Sequence, residues 1–384
     1  MQLSEPDLTA FKLKISEIKV TIDEFDEFLS NSPHILRSVR GHAFEVWFDR
    51  ELRERGYEIE KVGGDDVVDR TYNGITLQLK TPYWNGTKNG VEVQYKMHKT
   101  HGSERQPLCY YKPDEFADFL VAMHPSEGVY ICPKNRIPTR GDISPKLIHP
   151  EYISDPLPFA WESEWLNRYD LIGIDINEPP TVSEHSEYES VLLPKTIARI
   201  GFTDYDIVHS ILDEGNFRIW NQLIKGTVRE FHFEKYASEN NVEIFPSIND
   251  PSLNGRQRQK IDYLLTDNTK IQVKGLTLGM CKNGKLGCET QCSHGRVPTR
   301  LYRTDDFDYL AIVVDPNSIS DEIASEKNLN NDDYNFVILP IENLPVHPRS
   351  NEWDHPRIKS SYHFNPRETT FNNIDILQRK IGDQ

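Results

Sequence analysis

Cysteine is scarce in this chain, which has five among 384 residues. So few cysteines exclude a fold held together by a disulfide framework and are typical of a reducing compartment. Long apolar runs are also missing, and the first residues lack the basic-then-apolar order of a secretion signal. We therefore expect a cytoplasmic protein that has no membrane partner.

Positive charge is in short supply as well. The chain has 44 lysines and arginines against 60 aspartates and glutamates, a formal net charge of −16. A protein that coats nucleic acid usually has a basic face, so this balance argues against that class. Net charge governs solubility and long-range attraction, however, and says little about a local cleft.

The most informative feature that is present is an internal repeat. Residues recur in one order, and the separation between the two copies stays between 185 and 207 residues. The recurring pairs are Gly41 and Gly226, Glu45 and Glu230, Asp69 and Asp262, Gln78 and Gln272, Lys80 and Lys274, and Pro133 and Pro340. The separation between paired residues changes little along the chain and their order is kept, which indicates a tandem duplication. The residues retained in both copies are the candidates for a chemical role.

The length of the chain accommodates two domains, each able to bury its own core. We predict a first domain over 1–175 and a second over 205–384. The segment between them, 176–204, is polar and contains Pro179 and Pro180, as is typical of a linker.

Both copies predict the same order of elements. A helix with a thick apolar face carries the Gly-x-x-x-Glu motif, and two strands joined by a turn carry the aspartate and the Gln-x-Lys motif. A continuous apolar strand follows, at 119–123 and at 309–314, which is typical of a sheet covered on both faces. The acidic, asparagine-rich insertion at 318–333 is expected to be exposed. The predicted fold class is α/β, with a central mixed sheet flanked by helices in each half.

The repeated polar residues suit a metal site. Side chains two apart on a strand point to the same face, so Gln78 and Lys80 project together, and a hairpin would bring Asp69 beside them. Glu45 can approach from the adjacent helix. Two carboxylates and an amide oxygen are hard ligands suited to Mg²⁺, and a neighbouring lysine can orient or help deprotonate a water that attacks a phosphodiester. The second copy offers the same set in Glu230, Asp262, Gln272 and Lys274.

The choice of aspartate in the first copy has alternatives. Asp65 and Asp66 compete with Asp69 for the place at the strand end. Asp69 is preferred because it precedes Gln78 by nine residues, close to the ten residues that separate Asp262 from Gln272.

These residues resemble the signature of the PD-(D/E)XK nuclease superfamily, to which many restriction endonucleases and Holliday-junction resolvases belong. The resemblance covers most of both halves. The chain departs from the signature by having glutamine where the family expects aspartate or glutamate, and a neutral ligand holds a divalent ion less strongly.

The resemblance implies two tandem restriction-endonuclease-like domains and an endonuclease that hydrolyses double-stranded DNA. It would use Mg²⁺, with Mn²⁺ as a substitute. We expect a restriction-type enzyme with two pseudo-symmetric active sites in one chain, as a monomer with internal pseudo-twofold symmetry or as a homodimer. The alternatives are a structure-specific nuclease of repair or recombination and a DNA-binding protein in which one or both nuclease folds are inactive.

The loops after the Gln-x-Lys motifs carry candidate DNA contacts, because arginine, lysine and histidine side chains contact phosphates and base edges. The alternative is an ordinary polar loop. The candidates are Lys88, His101, Arg105, Lys282, His294, Arg296 and Arg300.

A zinc site is a second possibility in the same region. Cys281, Cys288 and Cys292, together with His294, contain the donor types of a tetrahedral structural site. Their spacing matches no familiar zinc motif, and the first copy keeps only the histidine. Reduced cysteines in a turn are therefore the favoured interpretation.

Overall fold

The structure is a computed structural model that describes residues 3–62, 68–87, 90–95, 97, 111–124, 128–144, 151–154, 157–158, 163–180, 192–213, 223–250, 260–291 and 300–382. Its contacts divide the chain into two compact units. The first comprises Met1–Ser16 and Val20–Trp220, and the second comprises Glu17–Lys19 and Asn221–Gln384.

The boundary between the units falls after the predicted linker at 176–204. Two helices lie in or just after that segment, at Pro194–Ile200 and Asp204–Leu212. They pack on helices of the first unit, so their apolar side chains are buried there. The first unit therefore extends well beyond residue 175.

The helices are, in chain order, α1 (Glu5–Glu17), α2 (Ile22–Asn31), α3 (Pro33–Glu54), α4 (Arg140–Ile143), α5 (Pro194–Ile200), α6 (Asp204–Leu212), α7 (Lys225–Glu239), α8 (Asp321–Glu326) and α9 (Asp375–Gly382). Helices in the described part of the chain are all too short or too polar to cross a membrane.

The strands of the first unit are β1 (Glu60–Lys61), β2 (Arg70–Tyr72), β3 (Ile75–Lys80), β4 (Pro82–Thr87), β5 (Gly90–Tyr95), β6 (Phe119–His124), β7 (Gly128–Pro133) and β8 (Leu157–Pro158). Those of the second are β9 (Ile244–Pro246), β10 (Tyr263–Leu265), β11 (Lys270–Gly275), β12 (Leu286–Glu289), β13 (Tyr309–Val314), β14 (Asn335–Pro340) and β15 (Ser361–Phe364).

Each unit has a five-stranded mixed sheet, and the two sheets have the same topology. The order is β1-β2-β3-β6-β7 in the first and β9-β10-β11-β13-β14 in the second. In both, the third and fourth strands of the sheet are parallel and all other neighbours are antiparallel. The predicted α/β class with mixed sheets and helices is confirmed.

Local sequence explains the turns that position these strands. Asn73 and Gly74 both have positive φ, 47° and 80°, which is the conformation of a tight hairpin between β2 and β3. Asn268, with φ of 65°, turns the chain between β10 and β11 in the second unit. Asparagine and glycine adopt positive φ at low cost, so these two hairpins follow from the sequence.

The cores lie against these sheets. All six residues of β13 are buried, as the continuous apolar run predicted. The predicted excursion at 318–333 contains the short helix α8 and is largely exposed, although Ile319 and Ala324 are buried. Helices α3 and α7 carry the two Gly-x-x-x-Glu motifs, as predicted.

Candidate active site

In the first unit, the hairpin brings Asp69 and Gln78 into direct contact. Asp69 precedes β2, and its N–H donates to the Leu77 carbonyl at 2.9 Å. Its carboxylate oxygen Oδ2 accepts hydrogen bonds from Gln78 Nε2 and, at 2.7 Å, from the Leu79 N–H. One aspartate oxygen is therefore committed to the hairpin.

The second unit repeats this arrangement bond for bond. The Asp262 N–H donates to the Ile271 carbonyl at 2.9 Å. Its Oδ2 accepts from Gln272 Nε2 and, at 2.7 Å, from the Val273 N–H. The structure thus brings the predicted aspartate and glutamine together in both units.

The glutamine oxygens have an unusual environment. Gln78 and Gln272 are each 2% exposed, and the buried Oε1 of each lacks a hydrogen-bond partner among the described residues. A buried carbonyl oxygen without a partner costs about 1–3 kcal/mol. A bound cation would remove this cost, because amide oxygens are ordinary ligands of Mg²⁺.

Each lysine of the Gln-x-Lys motif lies over a buried tyrosine ring. Lys80 Nζ is 5.6 Å from the centre of the Tyr111 ring, and Lys274 Nζ is 5.5 Å from that of Tyr302. This distance allows a cation–π interaction, which holds the ammonium group in place.

The two tyrosines were not among the residues singled out from the sequence. Each also packs edge-on against a phenylalanine, Tyr111 on Phe116 and Tyr302 on Phe307. Both pairs are separated by the same number of positions in the sequence. This equal spacing was the signal that the tyrosines belong to the repeat.

The helical glutamate of the first unit is paired with basic side chains. Glu45 lies 3.2 Å from Arg70 and 3.3 Å from His42. Burial acts to raise the pKa of Glu45, but the hydrogen bond and charge of His42 and the charge of Arg70 outweigh it and lower the pKa to about 2. Glu45 is therefore firmly ionised and already paired.

Its counterpart in the second unit has the opposite behaviour. Burial and the nearby charge of Asp262 raise the pKa of Glu230 to about 8, with Lys274 opposing the shift. Two buried carboxylates without a sufficient counter-charge resist being ionised together. A divalent cation would supply that counter-charge.

The pKa values of the two aspartates are also shifted by their surroundings. Burial raises the pKa of Asp69 and of Asp262, and the charge of the neighbouring lysine opposes the increase in each case. The lysine of each motif is thus close enough to act on the aspartate electrostatically, as the shared face of the strand predicts.

The donor set of the second unit fits Mg²⁺. Among the described residues, no three or more histidine, cysteine, aspartate and glutamate side chains are grouped to hold a metal ion. Magnesium commonly uses only one or two carboxylates and fills its other positions with further oxygen ligands. Glu230, Asp262 and the unpartnered oxygen of Gln272 meet this requirement, whereas in the first unit Arg70 already pairs with the glutamate.

The candidate zinc ligands are only partly described. Cys281 is half-buried, and its Sγ donates to the Thr277 carbonyl at 3.6 Å. Cys288 is buried in the apolar core of the second unit, and burial raises the pKa of its thiol to about 12. A neutral thiol in an apolar core suits a packing role. Cys292 and His294 lie outside the described residues.

The candidate DNA contacts are also divided. Lys282 is exposed and enters a tight turn through Asn283 and Gly284, both with positive φ. Arg300 is half-buried at the start of the segment that leads to Tyr302. Lys88, His101, Arg105, His294 and Arg296 lie outside the described residues, so they stay predictions.

Comparison with protein-family models gave no match for this chain, and comparison with the curated proteins gave none either.

Proposed function

We propose that the protein is a magnesium-dependent endonuclease that hydrolyses double-stranded DNA, with the restriction-endonuclease-like fold of the PD-(D/E)XK superfamily in each half. The observation that carries the proposal is the Asp–Gln–Lys geometry. A buried aspartate is tied to a glutamine whose other amide atom lacks a partner, and a lysine two residues on is held over a tyrosine.

The reaction is a substitution at phosphorus. A water oxygen forms a bond to phosphorus, and the bond from phosphorus to the leaving sugar oxygen breaks. The attacking water loses a proton and the leaving oxygen gains one, so no oxidant or reductant takes part. A bound Mg²⁺, or Mn²⁺ in its place, would stabilise the negative charge that develops on the phosphate.

The residues of the second unit have distinct roles in this proposal. Glu230, Asp262 and the Gln272 carbonyl oxygen would hold the metal. Lys274 presents its ammonium group to the attacking water or to the phosphate, and the Tyr302 ring fixes its position. Fixed charges in a site that excludes water are the usual means of stabilising a transition state.

The repeat supports duplex DNA as the substrate. Symmetric DNA sites are commonly read by symmetric proteins, and an internal duplication is one route to that symmetry. The acidic balance of the chain favours a restriction-type enzyme over a junction resolvase, for which a strongly basic chain would be expected.

Plasmid digestion tests the proposal. Supercoiled plasmid is incubated with the full chain in Mg²⁺ and, in parallel, in EDTA, and the product ends are sequenced. We expect cleavage in Mg²⁺ only, at a defined sequence. Smearing would indicate a non-specific nuclease. A shift in DNA mobility without cleavage in either buffer would contradict the nuclease proposal and support a DNA-binding protein.

A further inference from the structure

The residue that follows the site aspartate differs between the units. Arg70 follows Asp69, and Tyr263 follows Asp262. Both occupy the same place in their hairpins, because Arg70 pairs with Leu77 and Tyr263 with Ile271. The carboxylates of the two aspartates also accept the same pair of hydrogen bonds. At this position of the hairpin, the two units therefore differ in one side chain.

Arg70 places a buried cation among the carboxylates of the first unit. Its Nε lies 2.8 and 3.0 Å from the two oxygens of Asp49, and its Nη2 lies 3.2 Å from Glu45. Its Nη1 donates to the Asp69 carbonyl at 2.8 Å. The side chain is 3% exposed. Arginine does not lose its proton in proteins, so this positive charge is permanent.

In the described part of the second unit, carboxylates stand at the corresponding helix positions, and no arginine occupies the place of Arg70. Glu230 and Glu234 on α7 have the spacing of Glu45 and Asp49 on α3. Burial and the charges of Glu230 and Glu234 raise the pKa of Tyr263. Arg229, also on α7, donates to Asp315 and to the Leu276 carbonyl.

The charge balance of the two sites therefore differs. The three carboxylates of the first unit, Glu45, Asp49 and Asp69, lie near the charges of Arg70 and Lys80, with smaller effects from Lys61 and Arg53. His42 adds a further contact to Glu45. Glu230, Glu234 and Asp262 face Lys274 alone among the residues that act on Glu230. A divalent cation is repelled by a fixed guanidinium and attracted by unmatched carboxylates.

We propose that the two halves are not equivalent: divalent metal binds, and the phosphodiester is cut, only in the second unit, because in the first unit the Arg70 guanidinium takes the place of the metal ion. This inference rests on the proposed function. It goes further in predicting that a single chain makes a single break, and that Asp69, Gln78 and Lys80 form a site without its metal.

Metal binding can be measured without any reaction. The full chain, freed of metal with EDTA and dialysed, is titrated with Mn²⁺, and electron paramagnetic resonance measures the ion left free in solution. We expect saturable binding that Asp262→Asn abolishes. The matched variant Asp69→Asn should bind as much Mn²⁺ as the unaltered chain. Circular dichroism checks that both variants are folded.

Exchange of the differing residue provides a second test. Tyr263→Arg should abolish Mn²⁺ binding in a folded protein, whereas Arg70→Tyr should add a binding site that Asp69→Asn then removes. If Arg70→Tyr does not fold, the Tyr263→Arg result and the two aspartate variants still decide the matter.

The outcomes separate this inference from the proposed function. Loss of bound Mn²⁺ with Asp262→Asn alone supports both. Partial loss with each of the two aspartate variants would overturn the inference and leave the nuclease proposal standing. The absence of saturable Mn²⁺ binding in the unaltered chain would overturn both.

Discussion

At the scale of single residues, the affinity of the proposed metal site depends on its glutamine. Gln272 donates to Asp262 and leaves its own oxygen without a partner. A neutral amide satisfies the aspartate when no metal is bound and still provides an oxygen ligand. A glutamate in the same place would bind metal better but would repel Asp262 in the metal-free protein.

This trade-off predicts the behaviour of Gln272→Glu. Mn²⁺ affinity should rise roughly tenfold or more, equivalent to about 1.4 kcal/mol, because the variant adds an anionic ligand. Without metal, the melting temperature should fall, because two buried carboxylates then lie side by side. Calorimetric titration and thermal melts in EDTA measure the two effects. Unchanged affinity would exclude residue 272 as a ligand.

The lysines allow a matched comparison. Lys274→Met keeps the length of the side chain and removes the charge over Tyr302. Cleavage should fall about a hundredfold or more while Mn²⁺ binding is retained, because the charge acts on the transition state. Without metal, the melting temperature should also fall, because Lys274 is the counter-charge of Glu230 and Asp262. Single-turnover cleavage of a short duplex measures the rate.

Lys80→Met makes the same change over Tyr111 in the first unit. A single metal site predicts a much smaller loss of rate for this variant than for Lys274→Met. Equal losses in the two variants would contradict the proposed inequivalence of the halves.

The sequence identified most of the residues that meet in the structure but not their electrostatic state. The grouping of Asp69 with Gln78, and of Asp262 with Gln272, follows from strand alternation and a short hairpin. The role of Arg70 does not follow from the sequence. Its contacts with Glu45 and Asp49 join a strand to a helix more than twenty positions earlier in the chain. Only the packing of α3 on the sheet places them together.

At the scale of elements, α6 is held to α3 by a buried ion pair. Arg50 donates to Asp206 through Nε at 3.0 Å and Nη2 at 3.3 Å, and the Asp206 side chain is fully buried. Asp206 also completes the capping box of its own helix by accepting from the Thr203 N–H at 3.2 Å. The Asp206 carboxylate thus stabilises the first turn of α6 and links this helix to α3.

Arg50→Met should therefore destabilise the first unit. Removing one partner of a buried ion pair leaves the other charge unmatched and costs about 3–5 kcal/mol in the free energy of unfolding. Urea denaturation of the full chain measures the loss. Arg53→Met, an exposed arginine on the same helix, is the control and should change stability by no more than about 0.5 kcal/mol. A similar small effect for Arg50→Met would show that α6 is held by other contacts.

The elements differ in how far the sequence predicts them. Helices α3 and α7 and the strands around the two motifs follow from apolar periodicity and turn residues. The segment holding α5 and α6 was predicted to be a linker and the start of the second domain. Its helices are short, and their burial depends on α2 and α3, which lie far away in the sequence. Such tertiary contacts leave little local signal.

At the scale of the whole molecule, the chain consists of two units whose main sheets share one topology. The repeat in the sequence predicted this correspondence. It also led to the expectation of two working sites, because the glutamate, aspartate, glutamine and lysine of the motifs are kept in both halves. The proposed inequivalence of the sites arises from Arg70 and Tyr263, which are neighbours of the motif residues. A comparison of the motif residues alone does not include them.

The central claim is that the cluster around Asp262 cuts DNA, and cleavage of supercoiled plasmid in Mg²⁺ by Asp262→Asn tests it most directly. Asp321→Asn, an exposed aspartate of α8 in the same unit, is the control. We predict that the unaltered chain and Asp321→Asn convert the plasmid to the open-circular form, because one site makes one break, and that Asp262→Asn leaves it supercoiled. Cleavage by Asp262→Asn at the rate of the control would contradict the account.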